Sequence, residues 1–193
     1  AFATKHEDAI YFSKRVTRAV PDGGPIEAHT DLVKKLDYEC ELAVVLGKDA
    51  RDVPAGQTRD YIFGYTILND VSARDVQTAH KQWYFGKSLD GFTPIGPCIV
   101  TADAFADYPP RLGIRSFVNG EKRQDSNTAL QIFDIDHVIA ELSQGMTMKA
   151  GTIIATGTPA GVGMGMDPPQ FLKPGDVVRC EIEGIGTLTN PVK

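Results

Sequence analysis

Glu39 and Glu41 stand two residues apart in the run Asp37-Tyr38-Glu39-Cys40-Glu41-Leu42-Ala43-Val44-Val45-Leu46-Gly47, which is acidic at its start and apolar after it. Such a run reads as a β-strand, and residues two apart on a strand point to the same face. The two carboxylates therefore project side by side, with Asp37 on the same row. Like charges this close resist ionising unless something offsets them. A lysine or arginine pair can do so, and a divalent cation does it better. A third acid, Asp70, closes the apolar stretch that begins at Tyr61 and runs into Asn69. At the end of a buried strand it is placed to meet the carboxylates of a neighbouring strand. Three carboxylates with waters make a hard oxygen site that suits Mg²⁺ or Mn²⁺, with Ca²⁺ also accommodated, and not zinc or copper. Glu39, Glu41 and Asp70 are the expected metal ligands. Glu-x-Glu alone is common at solvated strand ends, so the surrounding elements and motifs must carry the assignment.

Those elements are short. Nineteen glycines and twelve prolines punctuate the 193 residues, and the segments between them are rich in Val, Ile, Phe and Thr. That pattern favours strands and hairpins over a helical bundle. Strands are expected over Ala9–Ser13, Tyr38–Leu46, Tyr61–Val71, Ile95–Thr101, Ile114–Val118, Thr152–Thr156, Val177–Ile182 and Gly186–Asn190. Asn119-Gly120 is a strong hairpin turn signal between Arg115–Val118 and Glu121–Gln124. Gly184–Gly186 marks a second turn near the C-terminus. Apolar residues at 135, 138, 139 and 142 have helical spacing, which predicts a helix over Ile135–Ser143 capped by Asp134 and stopped by Gly145. A shorter helix is expected after Ser72, through Asp75 to Gln82. Asp31–Leu36 reads as a turn or loop. No repeat, low-complexity tract or linker interrupts the chain, and a single β-rich domain over residues 1–193 is the economical organisation.

Composition excludes several classes. The net charge of -5 without a basic block argues against a nucleic-acid partner. The longest apolar runs, such as Leu42–Leu46 and Gly151–Ala155, fall far short of the roughly 20 residues of a membrane helix. Three well-separated cysteines, Cys40, Cys98 and Cys180, fit neither a disulfide framework nor a zinc ribbon. Cys40 and Cys180 lie inside apolar alternations and read as buried thiols of a cytoplasmic protein.

Taken in order, five blocks resemble the fumarylacetoacetate hydrolase superfamily. The first is Asp37-Tyr38-Glu39-Cys40-Glu41-Leu42-Ala43-Val44-Val45 with Gly47-Lys48. The second is Gly64-Tyr65-Thr66 through Asn69-Asp70-Val71-Ser72-Ala73-Arg74-Asp75. Gly86-Lys87-Ser88-Leu89-Asp90 leads to Pro94-Ile95-Gly96-Pro97, and Val118-Asn119-Gly120-Glu121 is followed by Arg123-Gln124. The last is Ala155-Thr156-Gly157-Thr158-Pro159-Ala160-Gly161-Val162-Gly163. The resemblance runs from about Ile10 to Val192. It implies a β-rich α+β fold of the mixed β-roll type with few short helices, usually assembled as a homodimer. It implies metal ligation by Glu39, Glu41 and Asp70, and small-molecule 2-oxo acid substrates chelated through carboxylate and keto oxygens. Members hydrolyse acylpyruvates, decarboxylate oxaloacetate or isomerise dienoates from aromatic catabolism, and an enolate is common to all three.

The resemblance also gives individual roles. Lys87 matches the active-site lysine, on what reads as a loop or strand end. Gly157 and Thr158 match the glycine-rich loop that binds the substrate carboxylate, with Thr158 as the expected contact. Gln77 falls where relatives place a polar residue facing the substrate or the catalytic water. Arg74 and Asp75 are expected to orient the metal ligands. His80-Lys81-Gln82-Trp83-Tyr84-Phe85, aromatic and basic, reads as a pocket wall that selects substrate length.

One family feature does not match. A His-x-x-Glu pair on a lid helix is expected upstream of Ala9–Ser13, but His6-Glu7 is adjacent and wrongly spaced, and His29 falls in a loop. The lid segment is therefore expected to be missing from residues 1–193. With a lid, metal-dependent hydrolysis of an acylpyruvate such as fumarylpyruvate is the leading expectation. Without one, oxaloacetate decarboxylation or 2-hydroxyhepta-2,4-diene-1,7-dioate isomerisation at the same site comes forward, and a non-catalytic binding protein is the remaining alternative.

Overall fold

Thirteen strands and α-helices, in a computed structural model describing residues 8–193, build two four-stranded sheets around one apolar core. His6 and Glu7 lie outside the described residues. The chain runs β1 (Leu36–Asp37), β2 (Cys40–Leu46), β3 (Ile62–Asn69), β4 (Ser72–Ala73), α1 (Arg74–Ala79), α2 (Tyr84–Lys87) and β5 (Ile95–Thr101). It continues through β6 (Gly113–Val118), β7 (Glu121–Asn127), α3 (Ile135–Leu142), β8 (Ile153–Ala155), β9 (Val177–Ile182) and β10 (Gly186–Pro191). One sheet has the order β5-β3-β2-β8, the other β10-β9-β6-β7, and β1 pairs with β4. All paired strands are antiparallel, with parallel character confined to the isolated bridges Val20 to Pro94 and Ile26 to Val192. The β-rich architecture with few short helices is as expected.

Burial explains why β2 reads as an unbroken apolar run. It lies between β3 and β8, and all seven of its residues are buried. A strand covered on both faces needs apolar residues at every position beyond its functional end. Leu42 and Val44 join Ile67 of β3 and Val178, Ile182 and Leu188 of the other sheet in the core. Cys40 and Cys180 are buried there as free thiols, whereas Cys98 is exposed.

Local signals fare well where the structure is local. Asn119 (φ 52°) and Gly120 (φ 84°) make the β6–β7 turn with two left-handed residues, the conformation that Asn-Gly tolerates best. Asp134 accepts the His137 N–H at 2.8 Å and caps α3. α1 ends at Ala79, three residues before the expected Gln82, and Lys81 has a left-handed φ of 61°.

The N-terminal expectation fails. Ala9–Ser13 is not a strand; the segment is irregular and has no ladder partner among the described residues. Within its apolar run, Tyr11 and Phe12 are held by side-chain contacts with separate elements, Tyr11 with Glu141 and Phe12 with Trp83. No described helix is long and apolar enough to cross a membrane.

Candidate metal centre

The end of β3 delivers Asp70 to Glu39. Cys40 pairs with Asn69 across β2 and β3, so the residues just outside that pair meet. Asp70 N–H donates to Glu39 O at 2.8 Å, and Glu39 N–H donates to Asn69 Oδ1 at 3.0 Å. Glu39 itself lies in the short break between β1 and β2, one residue outside the strand expected to carry it. The two-residue spacing still turns Glu39 and Glu41 the same way: one carboxylate oxygen from each of Glu39, Glu41 and Asp70 lies within 4.8 Å of the others, and all three residues are buried.

Positive groups surround two of the three. Lys87 Nζ is 2.6 Å from both Glu39 Oε2 and Asp70 Oδ2. Arg74 NH1 reaches Glu39 Oε1 at 2.7 Å, and Lys14 Nζ reaches Asp70 Oδ1 at 2.5 Å. Burial alone would raise the Asp70 carboxyl, but Lys14 and Lys87 more than offset it and hold it below the usual range. Burial alone would also lower the Lys87 ammonium, but Asp70 and Glu39 outweigh it, and Lys87 stays charged. For Lys14 burial wins, and its pKa falls below that of a free lysine despite Asp70.

Glu41 differs. Its polar contact is the Gly157 N–H at 2.8 Å, and among the described residues no ammonium or guanidinium pairs with it. Burial, then the charges of Asp70 and Glu39, push its carboxyl well above the ordinary value. A buried carboxylate without a cationic partner is costly unless its charge is met. A hard divalent cation bound by Glu39, Glu41 and Asp70 meets it with the oxygen donors such ions prefer. The residues fit the group.

Two helices supply the remaining groups. Arg74 opens α1, donating through Nε to Asp37 at 2.8 Å and through NH1 to Gln77 Oε1 at 3.2 Å. Gln77, three residues on, shares its face. Asp75 does not: one step along a helix turns a side chain by about 100°, and Asp75 accepts Lys34 N–H at 2.8 Å and does not touch the triad. Asp75 thus positions a loop, not a ligand. Lys87 ends the single helical turn α2, where a loop or strand end was expected. Gly86 makes this possible, because a Cβ there would lie 2.6 Å from Gln77 N. Without one, α2 lies directly on the α1 backbone and carries Lys87 to the carboxylates.

The glycine-rich loop also differs in detail. Gly157 spends its N–H on Glu41, and Thr158 spends its hydroxyl proton on Cys40 O at 3.0 Å. The Thr158 backbone N–H has no acceptor among the described residues.

Two site residues escaped the sequence analysis. Lys14 sits in a polar, charged stretch and reads there as solvated. Gln124 was part of a motif without a role. It is fully buried, donates to Thr158 Oγ1 and Pro159 O at 2.7 Å each, and accepts Cys40 N–H at 3.1 Å. It thereby ties the loop to the strand of the carboxylates. Gln124→Met strips these bonds and leaves buried polar groups unpaired, so it should cost about 2 kcal/mol. A thermal melt should drop by roughly 4–8 °C for a chain of this size; a drop below about 1 °C would show that the bridge is dispensable.

Comparison with known proteins places the chain in a family. Residues 2–193 match the family model for the fumarylacetoacetate (FAA) hydrolase C-terminal domain. Oxaloacetate tautomerase YisK of Bacillus subtilis is 45% identical over 186 residues, covering 96% of this chain and 62% of that protein. Among solved structures, fumarylacetoacetate hydrolase from Exiguobacterium antarcticum superposes with a TM-score of 0.87 at 51% identity, over 90% of this chain and 62% of that one. A 2-hydroxyhepta-2,4-diene-1,7-dioate isomerase from Mycobacterium marinum gives 0.78 at 43% identity, over 89% and 64%. The chain spans about three fifths of the length of the curated relatives it matches.

Proposed function

The chain belongs to the fumarylacetoacetate hydrolase family, and from that premise we propose that it is a divalent-metal enzyme acting on the enolate of a small 2-oxo acid. The observation that carries this is Glu41, a buried carboxylate facing two others without a cationic partner among the described residues. Glu39, Glu41 and Asp70 would hold Mg²⁺ or Mn²⁺, which when bound supplies Lewis acidity toward the oxygens of the 2-oxo acid. Lys87, held charged by Glu39 and Asp70, is a fixed positive charge beside the place where the enolate oxygen develops. Arg74 orients Glu39 and links Gln77 to the site. The Thr158 N–H offers a donor to the substrate carboxylate.

The reaction such a site needs least help to perform is proton transfer. Solvent water takes the C3 proton of the keto acid, the C3–H bonding pair becomes the C2–C3 double bond, and the carbonyl π pair moves to the 2-oxo oxygen. That oxygen takes a proton back from water to give the enol, with no net gain of protons or electrons. The names of YisK and of the mycobacterial isomerase support tautomerisation or dienedioate isomerisation as the leading reaction. Acylpyruvate hydrolysis, which sequence reading put first, is the second reading, supported by the name of the Exiguobacterium enzyme. Oxaloacetate decarboxylation uses the same enolate. A lid segment outside residues 1–193 and a homodimer belong to this proposal, and sedimentation velocity tests the latter.

The experiment is a panel. Enol oxaloacetate, a dienedioate and fumarylpyruvate are each incubated with the protein and Mg²⁺, with products followed by ultraviolet absorbance and chromatography. We expect oxaloacetate ketonisation at least a hundredfold above buffer, lost on chelation. Turnover of fumarylpyruvate alone would install hydrolysis, and no turnover of any substrate would sink the enzymatic reading.

A further inference from the structure

The irregular segment before β1 is pinned on both sides of one aromatic ring. The Tyr11 hydroxyl donates to Glu141 of α3. Lys14 Nζ bonds Asp70 Oδ1 at 2.5 Å and Phe92 O at 2.6 Å, and Arg15 N–H donates to Ser88 Oγ at 3.0 Å. Between these anchors Phe12 meets Trp83 edge-on with ring centroids 5.3 Å apart, and its ring lies 5.3 Å from Lys87 Nζ. That ammonium is 2.6 Å from two triad carboxylates, so the ring stands at the rim of the carboxylate cluster. Phe12 nonetheless stays 41% exposed. The ring is fixed by its neighbours and still offers apolar surface to whatever lies over the triad.

We infer that Phe12, backed by Trp83, is the wall on which the carbon chain of the 2-oxo acid lies, and so is a specificity-determining residue for chain length. The inference rests on the proposed function. An acid whose carboxylate and keto oxygens reach Glu39, Glu41 and Asp70 must send the rest of its chain outward past the rim. A flat apolar ring there rewards a chain carbon by contact and gives nothing to a carboxylate. The sequence placed the wall in residues 80–85; Phe12 lies outside that stretch, and what sets it apart is its contact with both Trp83 and the Lys87 ammonium.

The test uses the full chain saturated with Mn²⁺ and two unreactive probes, oxalate and 2-oxohexanoate, measured by titration calorimetry. Oxalate has no chain to reach the wall. Phe12→Ala should leave oxalate affinity within about twofold of wild type and weaken 2-oxohexanoate about tenfold, equal to about 1.4 kcal/mol. Phe12→Leu keeps apolar bulk and should lose about threefold, which serves if the alanine variant folds poorly. Trp83 is the only tryptophan, so its emission should shift with 2-oxohexanoate and not with oxalate. Equal weakening of both probes would make Phe12 a structural residue and overturn the inference. An unchanged 2-oxohexanoate affinity in the variants, or wild type that binds oxalate alone, would overturn it as well. Wild type that binds neither probe would overturn the metal and 2-oxo acid reading itself, and this inference with it.

Discussion

Glu41→Gln should abolish Mn²⁺-dependent stabilisation and turnover while leaving the metal-free protein as stable as wild type or more so. The two effects share one cause. Glu41 is buried, faces Glu39 and Asp70, and takes one backbone N–H from Gly157. Its folded pKa is raised by burial first and by the two neighbouring acids second. The stability that a raised carboxyl contributes is fully present below its unfolded pKa of about 4.3 and is lost as pH rises through its folded value. The metal-free wild type thus loses stability above that range, and a glutamine, which keeps an acceptor for Gly157 and carries no charge, does not. A cation at 100 times its dissociation constant stabilises by about 2.7 kcal/mol, or roughly 5–11 °C at this chain length. The variant should gain less than about 2 °C under the same conditions. Loss of a Lewis-acid contribution worth several kcal/mol should lower turnover at least a hundredfold. Thermal melts with and without Mn²⁺, beside the oxaloacetate assay, read both effects. A variant with the wild-type Mn²⁺ shift would remove Glu41 from the metal site and leave its burial unexplained.

What could be read from the sequence follows the range of the interactions. β5 and β9 have the expected bounds because each is a short β-prone run whose limits are set locally, with β9 also alternating between exposed and buried positions. The Asn119-Gly120 hairpin and the Asp134 cap are likewise decided within a few residues. The carboxylates were legible because strand geometry turns Glu39 and Glu41 the same way, and the end of β3 fixes Asp70. Lys14 was not, because its partner lies 56 residues away and nothing around it separates a buried ammonium from a solvated one. Ala9–Ser13 is a short apolar run of the kind that reads as a strand, with no strand beside it among the described residues; a ladder needs a partner that the segment itself cannot specify. The helical turn of Lys87 depends on Gly86 lying against Gln77, a contact between two helices. The hydroxyl of Thr158 is likewise spent on a distant strand, so motif position alone overstated its freedom.

Asp37→Ala should be the most destabilising substitution near the site, at about 3–5 kcal/mol. Strand spacing put Asp37 on the row of Glu39 and Glu41, yet it serves no metal group of three among the described residues. It is fully buried and accepts Arg74 Nε at 2.8 Å, Gly163 N–H at 2.7 Å and Met164 N–H at 3.0 Å. One carboxylate therefore joins β1, the start of α1 and the far end of the glycine-rich loop. The fit leaves little slack, since a Cβ on Gly163 would stand 2.8 Å from Asp37 Oδ1 and 2.0 Å from Gln170 O. Removing one partner of a buried ion pair costs about 3–5 kcal/mol, because the other charge stays buried with less to balance it. Arg74 would keep only Glu39 as a carboxylate partner, and two loop N–H groups would lose their acceptor. At 2–4 °C per kcal/mol the melt should fall by roughly 6–20 °C. Asp37→Asn keeps an acceptor and loses the charge, so it should fall between wild type and alanine. If asparagine and alanine were equally harmful, the charge on Arg74 would be the whole effect. If asparagine matched wild type, the loop N–H groups would be, and Arg74 would need no counter-ion beyond Glu39.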